Sequence, residues 1–165
     1  MGRIGLPNGA RSGWRRCCWT VTRFGAHHAD WCDRPLSDFA NRLEQMRHFA
    51  AGEAMGTPLA IACWEAGMDP SDPRRGWVMS VYARPLARGR GYAQAVLHQI
   101  ACDAAQSGMR SLGLHVRDDN HHARALYDQI GFRAVGPAPR PAPDSAAETV
   151  MHLPLDSRLR GAEPQ

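Results

Sequence analysis

At 165 residues, with 44% hydrophobic and 22% charged side chains, the chain has the size and balance of one globular domain. A second catalytic domain, a collagen-like chain and a disordered chain are all excluded by these figures. Every one of the 20 basic residues is Arg, and against 16 acids the net charge is +4. Residues 1–34 hold six Arg against Asp30 and Asp33, while residues 35–165 hold 14 of each sign. Arg clusters release counterions from phosphate backbones, so a nucleic-acid reading rests on residues 1–34 alone. A solvated basic end accounts for the same charge, and nucleic acid is not the expected partner.

Five cysteines, an odd number, do not form a disulfide framework, and a reduced cytoplasmic protein is expected. Cys17, Cys18, His27, His28 and Cys32 are zinc-ligand types, but without a Cys-x-x-Cys pair no metal is expected. Arg15-Arg16 lacks the apolar run of a twin-arginine signal, and Gly2 lacks the Ser or Thr of a myristoylation site. With no run of about 18 apolar residues, no membrane partner is expected.

Residues 1–34 carry no trusted periodicity. From Ser37, a plausible N-cap, Phe39, Leu43, Met46 and Phe49 recur at helical steps, predicting a surface helix that ends near Phe49. Phe49 to Glu53 and Pro58 to Trp64 flank Met55-Gly56-Thr57 and predict a hairpin. Gly67 to Gly76 is a loop by composition, and Trp77 to Ala83 is a strand apolar enough to be covered on both faces. After the turn Arg88-Gly89-Arg90-Gly91 comes a helix with Val96, Leu97, Ile100, Ala101 and Ala104 on its apolar stripe. His98, Gln99, Asp103 and Gln106 fall on its other face, and Gly108 closes it. Ser111 to Val116 alternates as a strand. Asp118, Asp119 and Asn120 then offer caps for a helix that buries Ala123, Leu126 and Ile130 and stops at Gly131. Strands Phe132 to Val135 and Glu148 to Leu153 bracket Gly136 to Ala147, which Pro137, Pro139, Pro141 and Pro143 should keep extended. The order predicts a mixed α/β fold in three parts: a basic segment 1–34, a domain 35–156 and a tail 157–165.

A strand entering a Gly-rich turn that opens a helix binds anions, because N–H groups at a helix start lack partners and the dipole favours negative charge. Gly89 and Gly91 suit that role, yet the turn lacks the P-loop Lys and has Gln94 where a dinucleotide fingerprint needs Gly or Ala. The run Val81 to Ala93, with Arg88-x-x-Gly91-x-Ala93 at its core, resembles the coenzyme A motif of the GNAT superfamily of N-acetyltransferases. Leu112-Gly113-Leu114-His115-Val116, Asn120-x-x-Ala123-x-x-Leu126-Tyr127-x-x-Ile130-Gly131-Phe132 and the strand with Met151 follow at family spacing, over roughly residues 36–155.

The resemblance implies a mixed sheet whose two central strands splay around a pantetheine arm, with acetyl-CoA as co-substrate. It implies that backbone groups of Val81 and Ala83, flanking Tyr82, pair with the pantetheine amides. Backbone N–H groups of Arg88, Gly89, Arg90, Gly91, Tyr92 and Ala93 would hold the pyrophosphate, and Asn120 would contact the cofactor arm. The Arg88 side chain has the alternative of a plain surface cation.

Attack of an amine on a thioester needs a neutral amine, a polarised carbonyl and a stabilised thiolate. Tyr127, a phenol of ordinary pKa about 10, is the candidate acid, with aromatic packing as its alternative. Similar enzymes that acetylate protein N-termini often carry Glu where this chain has His115, twelve residues before the tyrosine. His115 is the candidate base, against a strand histidine satisfied by a neighbour. Glu65 and Glu53 are further candidates or else solvated edge charges. His121 and His122 read as exposed, and Trp14, Trp19 and Trp31 line an acceptor site or simply pack. Cys102 falls off its helix's apolar stripe, so direct transfer to a primary amine of a small molecule or peptide is expected. A CoA-binding regulatory module that lost its base is the alternative from another class. Dimers are frequent among relatives, which makes a homodimer the oligomer the resemblance suggests.

Overall fold

The computed structural model describes residues 33–52, 56–139 and 146–156. The cluster Cys17, Cys18, His27, His28 and Cys32, the three N-terminal tryptophans, Glu53, Pro141, Pro143 and residues 157–165 lie outside them. The chain divides into two compact units, Met1–Glu44 and Gln45–Gln165. Helix α1, Leu36–Gln45, belongs to the first unit through Glu44. Asp38 donates its amide to Pro35 O at 3.0 Å and faces Arg34 at 3.8 Å. Ser37 therefore lies inside the first turn.

The helix stops four residues short of Phe49. Met46 is buried, and from Arg47 the chain is strand β1, Arg47–Ala51, paired antiparallel with β2, Ala60–Glu65. Phe49 stands opposite Ala62 in that ladder, so its helical spacing from Met46 is overridden by strand pairing.

The second unit is a six-stranded mixed sheet in the order β1-β2-β3-β4-β6-β5. Strand β3 spans Arg75–Ala83, β4 Ser111–Arg117, β5 Arg133–Pro137 and β6 Glu148–Pro154. Only β3 and β4 run parallel; every other pair is antiparallel. Helix α2, Tyr92–Gln106, makes the crossover between the parallel strands, and α3, His121–Ile130, follows β4. Both deviations at the last strands are small, β5 beginning one residue later than Phe132 and taking in Gly136 and Pro137.

The core lies on the helix face of the sheet. Val96, Leu97, Ile100, Ala101 and Ala104 of α2 are all at most 4% exposed and meet Trp64, Val78, Leu112, Leu114 and Met151. Burying a side chain such as Leu97 or Ile100 contributes about 2 kcal/mol, so this stripe fixes the helix to the sheet. Ala123, Leu126 and Ile130 are only partly buried, while Tyr127 is the buried residue of α3. Gly108 and Gly131 end their helices with φ of +86° and +110°.

Candidate active site

Two irregularities in β3 build the site. The first is a bulge: Ser80 and Val81 oppose Ala62 alone, between the pairs Cys63↔Met79 and Ile61↔Tyr82. Ser80 takes φ +56°, which costs a non-glycine residue on the order of 1 kcal/mol. The extra residue reverses the alternation. Before it Gly76 and Val78 face the core, and after it Val81 and Ala83 pack there. The second irregularity is the parting of β3 and β4. They pair from Arg75↔Ser111 to Trp77↔Gly113 and no further, although β3 continues to Ala83 and β4 to Arg117. The result is a wedge between Val78–Ala83 and Leu114–Arg117, with one edge of each strand left without a ladder partner.

β3 leads directly into the glycine turn. A single 3-10 turn, Pro85–Ala87, is followed by Gly89 at φ +72° and Gly91 at φ +81°, the latter being the N-cap of α2. Positive φ at both positions needs glycine. The amides of Arg88 and Arg90 are turned inward, donating to Pro85 O at 3.3 Å and Ala87 O at 3.4 Å. The first helical bond is Ala95 N–H to Gly91 O, at 2.9 Å. Among the described residues, the amides of Gly89, Gly91, Tyr92 and Ala93 have no backbone acceptor, so four of the six amides expected to bind phosphate are open. The Arg90 guanidinium lies 5.6 Å over the Tyr92 ring.

On the helix side of the wedge, Asn120 caps α3, its side-chain oxygen accepting from the Ala123 amide at 3.3 Å. Two turns on from Asn120, Tyr127 is 6% exposed, with its ring centroid 5.7 Å from that of Phe132. Its hydroxyl has no hydrogen-bond partner among the described residues. Burial pushes the phenol up to about 12, so it stays protonated over the whole working range of pH.

His115 is on the opposite face. Leu114 and Val116 point to the core, so alternation turns the exposed His115 away from Tyr127. Its ring meets Trp77 edge-on at 4.9 Å, and its Nδ1 is 3.8 Å from Glu148 Oε2. His152 also meets that indole edge-on, at 6.3 Å. A cleft of about 440 Å³ opens there, between Trp77, both imidazoles and Val150, with Val135 and Pro137 along one wall and Met68 and Pro70 along another. Burial, and after it the Arg75 guanidinium, hold His152 below the ordinary imidazole value against the opposing pull of Asp69 and Asp72. The imidazole is neutral at neutral pH. Arg75 is clamped by Asp69 at 2.7 Å and Asp72 at 2.8 Å. Ser71 donates both its amide and its hydroxyl to Asp69 Oδ1, which with Arg75 keeps that carboxyl below the usual range.

The sheet thus separates Tyr127 from His115. Glu65 pairs in register with Trp77 at the far end of β2, and His121 and His122 are exposed at the start of α3. Trp77, His152, Arg75 and Asp69 belong to no spacing motif; strand parity in β6, where His152 alternates with buried Met151, was the available signal. Asp103, assigned by periodicity to the polar face of α2, instead accepts from Trp64 Nε1 at 2.8 Å and from Arg47 at 2.6 Å. No described helix is long and apolar enough to cross a membrane, and the described residues contain no group of three metal-ligating side chains.

Comparison with known proteins agrees with this architecture. An uncharacterized protein of Mycobacterium leprae (strain TN) is 38% identical over 136 residues, which is 82% of this chain but 36% of that protein's length. The chain thus matches about a third of this relative. Among solved structures, a GNAT-family protein of Desulfovibrio desulfuricans superposes with a TM-score of 0.71 at 18% identity, covering 94% of this chain and 98% of that one. The ribosomal-protein alanine N-acetyltransferase of Escherichia coli superposes with a TM-score of 0.61 at 20% identity, covering 91% and 90%. These likenesses establish the fold. The acetyltransferase (GNAT) family model matches residues 12–132, reaching back into the basic N-terminal segment, and the chain belongs to that family of acetyltransferases.

Proposed function

We propose that the protein transfers the acetyl group of acetyl-CoA directly to a primary amine, carried by a small molecule or a peptide. The observation that supports this most is the wedge between β3 and β4, whose β3 side runs straight into the turn with open amides at Gly89, Gly91, Tyr92 and Ala93. An extended arm carrying amides fits the unpaired edge at Val81 and Ala83, flanking Tyr82. A pyrophosphate fits the helix start, where the dipole and the Arg88 and Arg90 side chains add positive potential.

In this reading the thioester lies in the wedge. The amine nitrogen attacks the carbonyl carbon, the C–N bond forms and the C–S bond breaks. Tyr127, held protonated by burial, donates its proton to the departing thiolate and regains one from the nitrogen as that nitrogen becomes the amide. His115, on the other face, receives the proton of the incoming ammonium. Asn120 fixes the first turn of α3 and hence the ring of Tyr127, and Cys102 takes no part.

Thiol release from acetyl-CoA, measured with a panel of primary amines, tests the reading. Release that depends on an amine and yields the N-acetylated product is expected. CoA binding without turnover on any amine would reduce the protein to a CoA-binding module.

A further inference from the structure

The cleft between Trp77, His115 and His152 bears on which amine is taken, and the argument rests on the acetyl-transfer reading above. Its walls are apolar: Trp77, Val150, Val135 and Pro137 on one side, Met68 and Pro70 on the other. Its ionic groups are acidic in balance and already engaged. Arg75 is the lining cation; its two terminal nitrogens donate to Asp69 and Asp72, while its buried Nε has no hydrogen-bond partner among the described residues. Of Asp69, one oxygen accepts twice from Ser71 and the other from Arg75. Glu148, across the ring of His115, adds a further acid near the rim.

Each feature removes a class of acceptor. A substrate carboxylate would meet a guanidinium already paired with Asp69 and Asp72, and acids that repel it. A polycation would have to lay several ammonium groups along proline, valine and methionine side chains, with Asp69 saturated. An amine on an apolar body meets neither obstacle. Its body fills the cleft at roughly 25 cal/mol per Å² of apolar surface buried, and aromatic surface adds an edge or face contact with Trp77.

We infer that the acceptor is a primary monoamine on an apolar, preferably aromatic, body without a carboxylate, seated against Trp77 between His115 and His152. Three probes separate the classes: 2-phenylethylamine; phenylalanine, which adds a carboxylate to the same body; and spermidine, a polycation. Calorimetric titration of each into the wild-type chain saturated with CoA should give at least about tenfold tighter binding of 2-phenylethylamine than of either other probe. Trp77→Ala should weaken that binding about tenfold and leave CoA affinity unchanged. Equal or tighter binding of phenylalanine or spermidine, or no binding of 2-phenylethylamine, overturns the inference on the unmodified chain, whatever the variant does. Turnover with spermidine or phenylalanine in preference to 2-phenylethylamine would also overturn it and leave acetyl transfer standing. Selective binding of 2-phenylethylamine without turnover of any probe would retain the cleft assignment and count against acetyl transfer.

Discussion

Tyr127 is buried against Phe132, and its hydroxyl makes no hydrogen bond among the described residues. If its place is held for chemistry, Tyr127→Phe should separate activity from stability. Turnover is expected to fall about tenfold or more, the lower end of what proton donation contributes, with CoA affinity unchanged by calorimetry. Stability below pH 10 should change by no more than about 1 kcal/mol, since Phe keeps the ring against Phe132 and no hydrogen bond among the described residues is lost. Alkaline denaturation gives a second readout. Burial raises the folded-state value from 10.0 to about 12, so above pH 10 the unfolded chain releases this proton while the folded chain keeps it. Stability attributable to Tyr127 is full below pH 10 and declines by about 1.4 kcal/mol per unit up to pH 12, roughly 3 kcal/mol in all. The Phe variant should lack that decline in urea titrations at pH 9 and 11. An unchanged turnover would leave Tyr127 as a packing residue.

At the scale of elements, α2 offers an internal control. Gly91 begins it and Gly108 follows it, with φ of +81° and +86°, and an added Cβ at either would touch nothing within 4 Å. Gly91→Val and Gly108→Val should therefore cost similar stability, about 1–2 kcal/mol of backbone strain. Only Gly91→Val should also weaken CoA binding, by tenfold or more, because it reorients amides worth about 1.5–3 kcal/mol each against a charged group. Equal CoA affinities for the two variants would remove the glycine turn from the binding site. These elements were legible because their signals are local. The α2 stripe, the glycine stops and the alternation of β4 each lie within a few residues, and alternation alone puts His115 on the face away from Leu114 and Val116. The end of α1 was not legible, since Phe49 keeps helical spacing from Met46 and yields only to a ladder with Ala62, distant in sequence. Asp103 sits among polar neighbours on α2, and nothing near it announces the Trp64 indole it accepts from. The cleft was hidden for the same reason: Asp69, Trp77, His115 and His152 come from a loop and three strands, and parity assigns each strand residue a face without saying which strands adjoin.

For the molecule as a whole, the proposed placement of cofactor and amine on the two faces of the sheet bears on the order of chemical events. An acetyl group can move through an acyl-enzyme or pass directly while both substrates are bound. The described cysteines argue against a carrier: Cys63 is buried in β2 with its Sγ 3.4 Å from Met79 O, and Cys102 lies on α2, beyond the turn and off the strands that flank the wedge. The two faces offer separate approaches, with Tyr127 and the helix start on one and the His115 cleft on the other, so neither substrate need leave before the other enters. Initial rates at varied acetyl-CoA and amine should then give intersecting lines in double-reciprocal form, and Cys102→Ala should keep turnover within about twofold of wild type. Parallel lines would require an acetylated enzyme. Intact-mass spectrometry after incubation with acetyl-CoA alone would then find it, at a nucleophile other than the two cysteines whose surroundings are known.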